Sequence, residues 1–403
     1  MSAAGEPFSI TNVNALFKIK YGKLSDNVYN SANVMLARQK KTYDFTGKQM
    51  LVPVPLSFAG GVGSGTLPKA NFSVVDDALI NSKKVYARAL IDREAMKAAS
   101  NDEGAFVRAT KWKVQKAVES YMRNSSRILF GDSTGALGTI DAGGVVDNGG
   151  GQYDLTISAT TWLEANWEEQ DYVNVGTGTT DLFEVLSVDP ATFLIAVQRI
   201  TGATVPVAAD VIFMQGSENN DPQGFKGVFD FSVAAAGSLY GVPYSRRWSS
   251  VVTDKGGAGL TTDFMNEQML ETERRSGKVP NLIMCSYTQF RKLLNLLESQ
   301  KEYHVEPRMA DLKGKISFRG IEFMSTAGAV AVFPERFMKP DEMFFINDNF
   351  MGCHHRPGFG WFDDDGTVLL RAADTDEYEA RYGGYYENYI CPAFHGALRN
   401  LAV

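Results

Sequence analysis

The longest run of helical periodicity lies between Gly104 and Phe130. Val107, Val114, Val118, Tyr121, Met122, Ser125 and Leu129 recur there at spacings of three, four and seven, which lays one stripe along a helix. No proline interrupts it, and Gly131 follows where a helix stop belongs. Upstream the period changes to two. Met50, Val52, Val54, Leu56 and Phe58 alternate, with Pro53 and Pro55 on intervening positions. Two prolines remove two ladder donors, so this reads as an edge or free-standing strand. Gly60 to Lys69 (GGVGSGTLPK) reads as a flexible turn. The chain returns through Phe72, Val74 and Val75 and alternates again at Val85, Ala87, Ala89 and Ile91. The expected element is a hairpin with a glycine tip and a modest apolar face. A two-stranded hairpin is marginal alone, and this part of the sequence offers no third strand. The hairpin is therefore expected to dock on its own body or on a neighbouring subunit.

These patterns divide the chain into an extended arm at 1–46, the hairpin at 47–92, the long helix at 93–131, an inserted β-rich module at 132–222, an axial α/β domain at 223–372 and a C-terminal return at 373–403. Leu16 and Phe17 are the arm's anchors. The β module shows short runs at Tyr153–Ile157, Tyr172–Val175, Leu182–Val188, Phe193–Val197 and Val211–Met214, separated by turns. That spacing predicts a small barrel or sandwich. In the α/β domain Thr262 is expected to cap a helix reaching Arg275, with Gly277 as its stop. Asn281–Cys285 reads as a buried strand, and Ser286 with Gln289 as a capping box. Phe290, Leu293, Leu294 and Leu297 mark the helix that follows. Strands are expected at Ile316–Phe323, Ala329–Phe333 and Met343–Ile346. Near the end Tyr378, Tyr382, Tyr385, Tyr386 and Tyr389 cluster, a pattern expected to pack a sheet with hydroxyls at its rim.

Length, 403 residues, is enough for two or three domains with a real core. A net charge of −7 argues against a simple DNA-coating protein. Against that background the long helix is locally basic. Arg108, Lys111, Lys113, Lys116, Arg123 and Arg127 flank its stripe against the single acid Glu119. Either this is a solvated face, or the helix is a rigid beam whose basic side meets an acidic partner surface or nucleic acid. Three widely spaced cysteines, Cys285, Cys353 and Cys391, suggest no disulfide framework and fit a reducing compartment. No apolar run is long enough to cross a bilayer as a helix, and no membrane partner is expected.

A search for chemistry yields no candidate catalytic, cofactor-binding or metal-ligating residue. GGVGSGTLPK lacks the Gly-Lys-Ser/Thr ending of a phosphate loop and the spacing of a dinucleotide site. His304, His354, His355 and His395 match no zinc spacing. Cys353, His354 and His355 are consecutive, so on a strand neighbours point to opposite faces. Cys285 sits in an apolar run and reads as a buried thiol. Asp363, Asp364 and Asp365 read as a solvated acidic turn.

The order of these parts resembles the major capsid proteins of tailed double-stranded DNA phages, with the Hong Kong 97-like fold. VPVPLSFAGGVGSGTLPKA resembles that family's hairpin, and KKVYARALIDREAMKAA leading to GAFVRATKWKVQKAVESYMRNSSRILFGD resembles its return strand and spine helix. LTTDFMNEQMLETERRSGKVPNLIMCSYTQFRKLL resembles the axial domain, and RYGGYYENYICPAFHGALRNL the last peripheral strand. The resemblance implies an α+β capsid fold with an extra all-β insert. It also implies a non-enzymatic shell protein, without cofactor, assembling with itself as hexamers and pentamers around packaged DNA held by non-specific contact. A separate scaffolding protein and a portal are the further partners implied, with assembly in the host cytoplasm and residence in the virion capsid. Expected inter-subunit contacts are Val54, Leu56, Phe58, Gly61 and Lys69 on the hairpin and Arg108, Lys111, Lys116 and Arg123 on the helix. No covalent cross-link through Lys69 is expected. The alternatives are an encapsulin-like cellular nanocompartment shell, or a carbohydrate-binding or hydrolytic protein using the β module and the tyrosines.

Overall fold

The computed structural model describes residues 34–45, 47, 49–57, 74–93, 103–298, 321–325, 328–363, 367–371 and 376–403. Leu16, Phe17, the glycine tip, His304, Asp364, Asp365 and the first part of the expected strand at Ile316 lie outside them. The chain divides into two compact units. One comprises 1–48, 81–126 and 353–387; the other comprises 49–80, 127–352 and 388–403.

The first unit is a sheet with the long helix packed on it. That helix runs Glu103–Phe130, 28 residues, or about 42 Å. The expected stripe is its buried face: Val114 and Val118 are fully buried, and Tyr121 is 1% exposed. Val114 and Ala117 meet Ala89, Ile91, Val368, Leu369 and Ala380 of the sheet and its loops. Strand Lys83–Asp92 buries alternate residues, as its period-two pattern requires. For this stretch the docking is on the chain's own body. It pairs antiparallel with strand Glu377–Ile390 over ten residues, from Asp92 opposite Glu377 to Lys83 opposite Tyr386. A local reading misses this third strand because it lies almost 300 residues downstream. Gly383 faces Tyr86 in that ladder; a Cβ there would sit 2.3 Å from the Val85 carbonyl oxygen, an approach only glycine permits. The tyrosines divide between the two sides of the strand. Tyr382 is fully buried, edge-on to Tyr121 at 5.1 Å, whereas Tyr385 is 38% exposed. The arm's last dozen residues also differ from expectation. Helix Val34–Arg38 and strand Lys40–Thr42 dock within this unit, burying Met35, Leu36 and Phe45.

The second unit is centred on a six-stranded mixed sheet. The strand order is Val251–Asp254, Gly396–Arg399, Met343–Ile346, Leu282–Cys285, Gly328–Pro334 and Ile321–Ser325. LIMC and MFFI are buried at every position because both faces are covered. On one face Met265, Met269 and Leu293, from helices Thr262–Ser276 and Tyr287–Glu298, pack on Ile283, Val332, Phe345 and Leu398. On the other, Phe344 meets Phe130 and, from helix Phe225–Ala234, Phe225 and Phe229.

Two local expectations are refined here. The helix cap is Thr261, which accepts a hydrogen bond from the Phe264 N–H, and not Thr262. Gly277 stops that helix at φ 71°. Ser286 Oγ does accept from the Gln289 N–H, at 3.2 Å. The Gln289 amide, however, donates to the Pro340 and Ala402 carbonyls instead of closing the box. Strand Gly396–Arg399 belongs to this sheet and residues 353–387 to the other unit, so the expected boundary between 372 and 373 falls inside one body.

The all-β insert is a closed six-stranded barrel of Ala136–Gly149, Gln152–Ile157, Tyr172–Val175, Leu182–Asp189, Leu194–Thr201 and Val211–Met214. Leu155, Val175, Phe183, Ile195, Val197 and Ile212 are fully buried in it. Its first and last strands pair, Phe213 opposite Ala136. The insert therefore leaves and rejoins the chain at one place.

Candidate inter-subunit surface

Strands Gln49–Ser57 and Val74–Asn81 form a two-stranded sheet in the second unit. Its foot is tied to its own chain. The Leu79 N–H donates to the Tyr240 carbonyl at 2.7 Å, Ala78 and Ile80 are fully buried, and Val54 is 6% exposed. Val54 is thus largely covered by its own copy. Leu56 is half-buried on the same side. The opposite side faces solvent, with Pro53 and Pro55 exposed beside Leu51 (57%), Val75 (53%) and Leu79 (38%). Sequence alternation separated the two faces but named the inner one. Phe58, Gly61 and Lys69 lie outside the described residues.

On the long helix the basic residues do not form one free row. Lys116 is exposed and pairs with Glu119 at 2.6 Å, and Arg123 is half-buried. Arg127, on the portion in the second unit, is 8% exposed and donates to Asp221 at 3.0 Å and Ser217 at 3.3 Å. The helical backbone carries Arg108 and Lys111, whose side chains lie outside the description. In the first unit the stronger charge feature is Glu379, 4% exposed. Arg88 grips its carboxylate at 2.9 and 2.7 Å and Arg381 at 2.6 Å. Burial pushes this carboxyl up, but the hydrogen bonds from the two arginines outweigh it and leave it below its ordinary value. The arrangement clamps the strand pair Lys83–Asp92 and Glu377–Ile390.

Cys353 Sγ lies 3.1 Å from His355 Nε2, both buried, because residues two apart share a strand face. His354 points the other way and bonds Thr42 at 2.9 Å and Asp44 at 3.0 Å. Burial pushes the Cys353 thiol up and His355 down to about 4, the reverse of an activated pair. Burial likewise pushes the Cys285 thiol up to about 12. No cluster of three metal-ligating side chains occurs among the described residues.

A sheet-packed long helix, a two-stranded hairpin and a mixed sheet with its two helices make up the Hong Kong 97-like capsid fold. The chain is similar to the Cyanophage A-1(L) capsid asymmetric unit over 91% of its own length and 91% of the other, at 11% identity and a TM-score of 0.50. Looser likenesses are to the capsid of an empty GTA particle (TM-score 0.44, 11% identity, covering 93% and 97%) and to the holo-SrpI encapsulin complex of Synechococcus elongatus PCC 7942 (0.41, 7%, covering 91% and 87%). Residues 207–354 match the model of the family described as SU10 major capsid protein. No curated protein matches the chain. The fold is thus that of the Hong Kong 97-like capsid proteins, and residues 207–354 are similar to the SU10 major capsid protein family.

Proposed function

We propose that the copies assemble as hexamers and pentamers into an icosahedral shell enclosing double-stranded DNA, made in the host cytoplasm with a separate scaffolding protein and a portal. The observation behind this reading is the row Leu51, Val75 and Leu79, exposed on a sheet that has two strands among the described residues. Such a sheet carries more apolar surface than its own copy covers. Placed on an adjacent copy, the row makes a head-to-tail contact, and a heterologous contact of this kind closes into rings. Gly61 and Lys69 would extend it, Leu56 and Phe58 would meet the neighbour from the hairpin's other side, and Arg108, Lys111, Lys116 and Arg123 would face a further neighbour. With a net charge of −7, the shell tolerates DNA by phosphate contacts alone, so binding falls steeply with salt. No residue is assigned a catalytic, cofactor or metal role. Electron microscopy of particles purified from expressing cells, followed by analysis of their contents, tests the proposal. Closed shells carrying nucleic acid support it, whereas shells carrying a cargo enzyme would favour a nanocompartment.

A further inference from the structure

Strand Lys83–Asp92 turns one row of side chains toward the long helix and the other row outward. The outward row is Lys84, Tyr86, Arg88 and Leu90, since residues two apart share a strand face. Strand Glu377–Ile390 adds Tyr385 opposite Lys84 and Arg381 opposite Arg88, and directly opposite residues also share a face. Phe362 joins them, stacked on Tyr385 at 6.1 Å. Tyr86 is 54% exposed, and Leu90 and Tyr385 are 38% exposed. The outward face is thus a platform of aromatic rings and an aliphatic side chain with three cations set in it. Arg88 and Arg381 share the buried carboxylate of Glu379, which leaves positive charge over. Lys84 has no carboxylate partner among the described residues; its ammonium lies 6.0 Å from the centre of the Tyr385 ring. Two further carboxylates, Asp92 opposite Glu377, stand at the far end of the ladder. Exposed apolar surface with an unanswered cation at one end suits a partner face that is apolar around a single carboxylate.

The same chain carries such a face. On the solvent side of the hairpin Asp77 stands between Val75 and Leu79, two residues from each, so all three share that side. Asp77 is exposed, whereas Asp76 and Ala78 turn to the other side. The Asp77 N–H donates to Asp76 Oδ1 at 3.0 Å, but the Asp77 carboxylate has no cation partner among the described residues. We propose that the outward sheet face of one copy receives the solvent side of the hairpin of the next, with Asp77 against Lys84 and with Val75 and Leu79 against Tyr86 and Tyr385. The contact uses two different surfaces of the same chain, so it propagates head to tail. It rests on the capsid reading and gives the hairpin its landing surface.

The experiment uses the full chain under conditions in which it assembles, and compares Asp77→Lys, Lys84→Asp and the two together. Sedimentation and electron microscopy read the assembled fraction, and thermal unfolding of unassembled protein checks the fold. Each substitution alone is expected to raise the concentration needed for assembly about tenfold, as like charges replace opposite ones, and the pair to bring it back to within about threefold of the parent. Parental assembly by either single variant overturns the inference. So does a double variant that melts like the parent chain yet stays unassembled. So does loss of salt-dependent DNA retention in Lys84→Asp with Asp77→Lys assembling normally, which would give the face to nucleic acid. Should the reversals unfold the chain, a mixture of Asp77→Cys and Lys84→Cys copies provides the second measurement. A dimer linked through the two introduced cysteines under mild oxidation, identified by peptide mass, supports the contact and its absence refutes it. A parent chain that forms no ring or shell breaks the capsid reading itself, whereas normal shells with silent reversals break only this inference.

Discussion

Replacing Leu51, Val75 and Leu79 together by serine should separate folding from assembly. All three point away from their own copy, at 57%, 53% and 38% exposure. Fully burying an aliphatic side chain contributes about 2 kcal/mol. The part of these three still exposed therefore holds about 3 kcal/mol per hairpin, released only when another surface covers it. That is about two powers of ten in the association constant of one contact. The unassembled subunit loses almost nothing, because exposed positions contribute little to its core. Light scattering against protein concentration should show the assembly threshold rising about a hundredfold, while the urea midpoint of the subunit stays put. A variant that assembles at the parent's concentration, or whose subunit is destabilised by several kcal/mol, would refute the reasoning. It would mean that this face is either unused or already covered.

The inner face of the same hairpin should behave oppositely. Ile80→Ala, at a fully buried position, should cost the subunit about 2–4 kcal/mol, read as a lower urea midpoint before any effect on assembly. Burial holds His355 and His395 neutral, each lowered from 6.5 to about 4. Above pH 6.5 their contribution is complete. Below it the unfolded chain takes up protons that the folded chain refuses, so stability should fall between pH 6.5 and about 4, by on the order of 3 kcal/mol per histidine. A flat urea midpoint across that range would contradict this. Because Ala136 and Phe213 are paired neighbours, excising residues 136–214 and joining the ends with two glycines should leave a folded protein. Loss of cooperative unfolding in that variant would show that the barrel is part of the body's core.

What could be read from the chain was whatever is local in period. The stripe from Val114 to Leu129 and the alternation from Val85 to Ile91 each need one element only; the first is buried, and the second is half-buried at Val85 and Ala87 and buried at Ala89 and Ile91. Most barrel strands were legible because turns punctuate them. The first, Ala136–Gly149, was missed because register shifts between Ile140 and Val145 and between Asp147 and Gly149 break its alternation. The partner of Lys83–Asp92 was invisible because pairing across such a separation leaves no local trace. Helix Val34–Arg38 was missed because five residues show barely one turn of periodicity. On the candidate surface, alternation distinguished two hairpin faces but could not say which one the chain itself covers. The outward platform of the first unit was not legible at all, since Lys84, Tyr385 and Phe362 meet only in the folded sheet.

The central claim is that the hairpin finds its remaining burial on the next copy. It is tested most directly by imaging the purified, concentrated chain by electron microscopy, with scaffold if required, and locating residues 49–81 in the averaged particle. The account predicts rings or closed shells in which Leu51, Val75 and Leu79 of each copy lie against its neighbour. A protein that stays monomeric under every such condition, or particles in which that face is open to solvent, would contradict it.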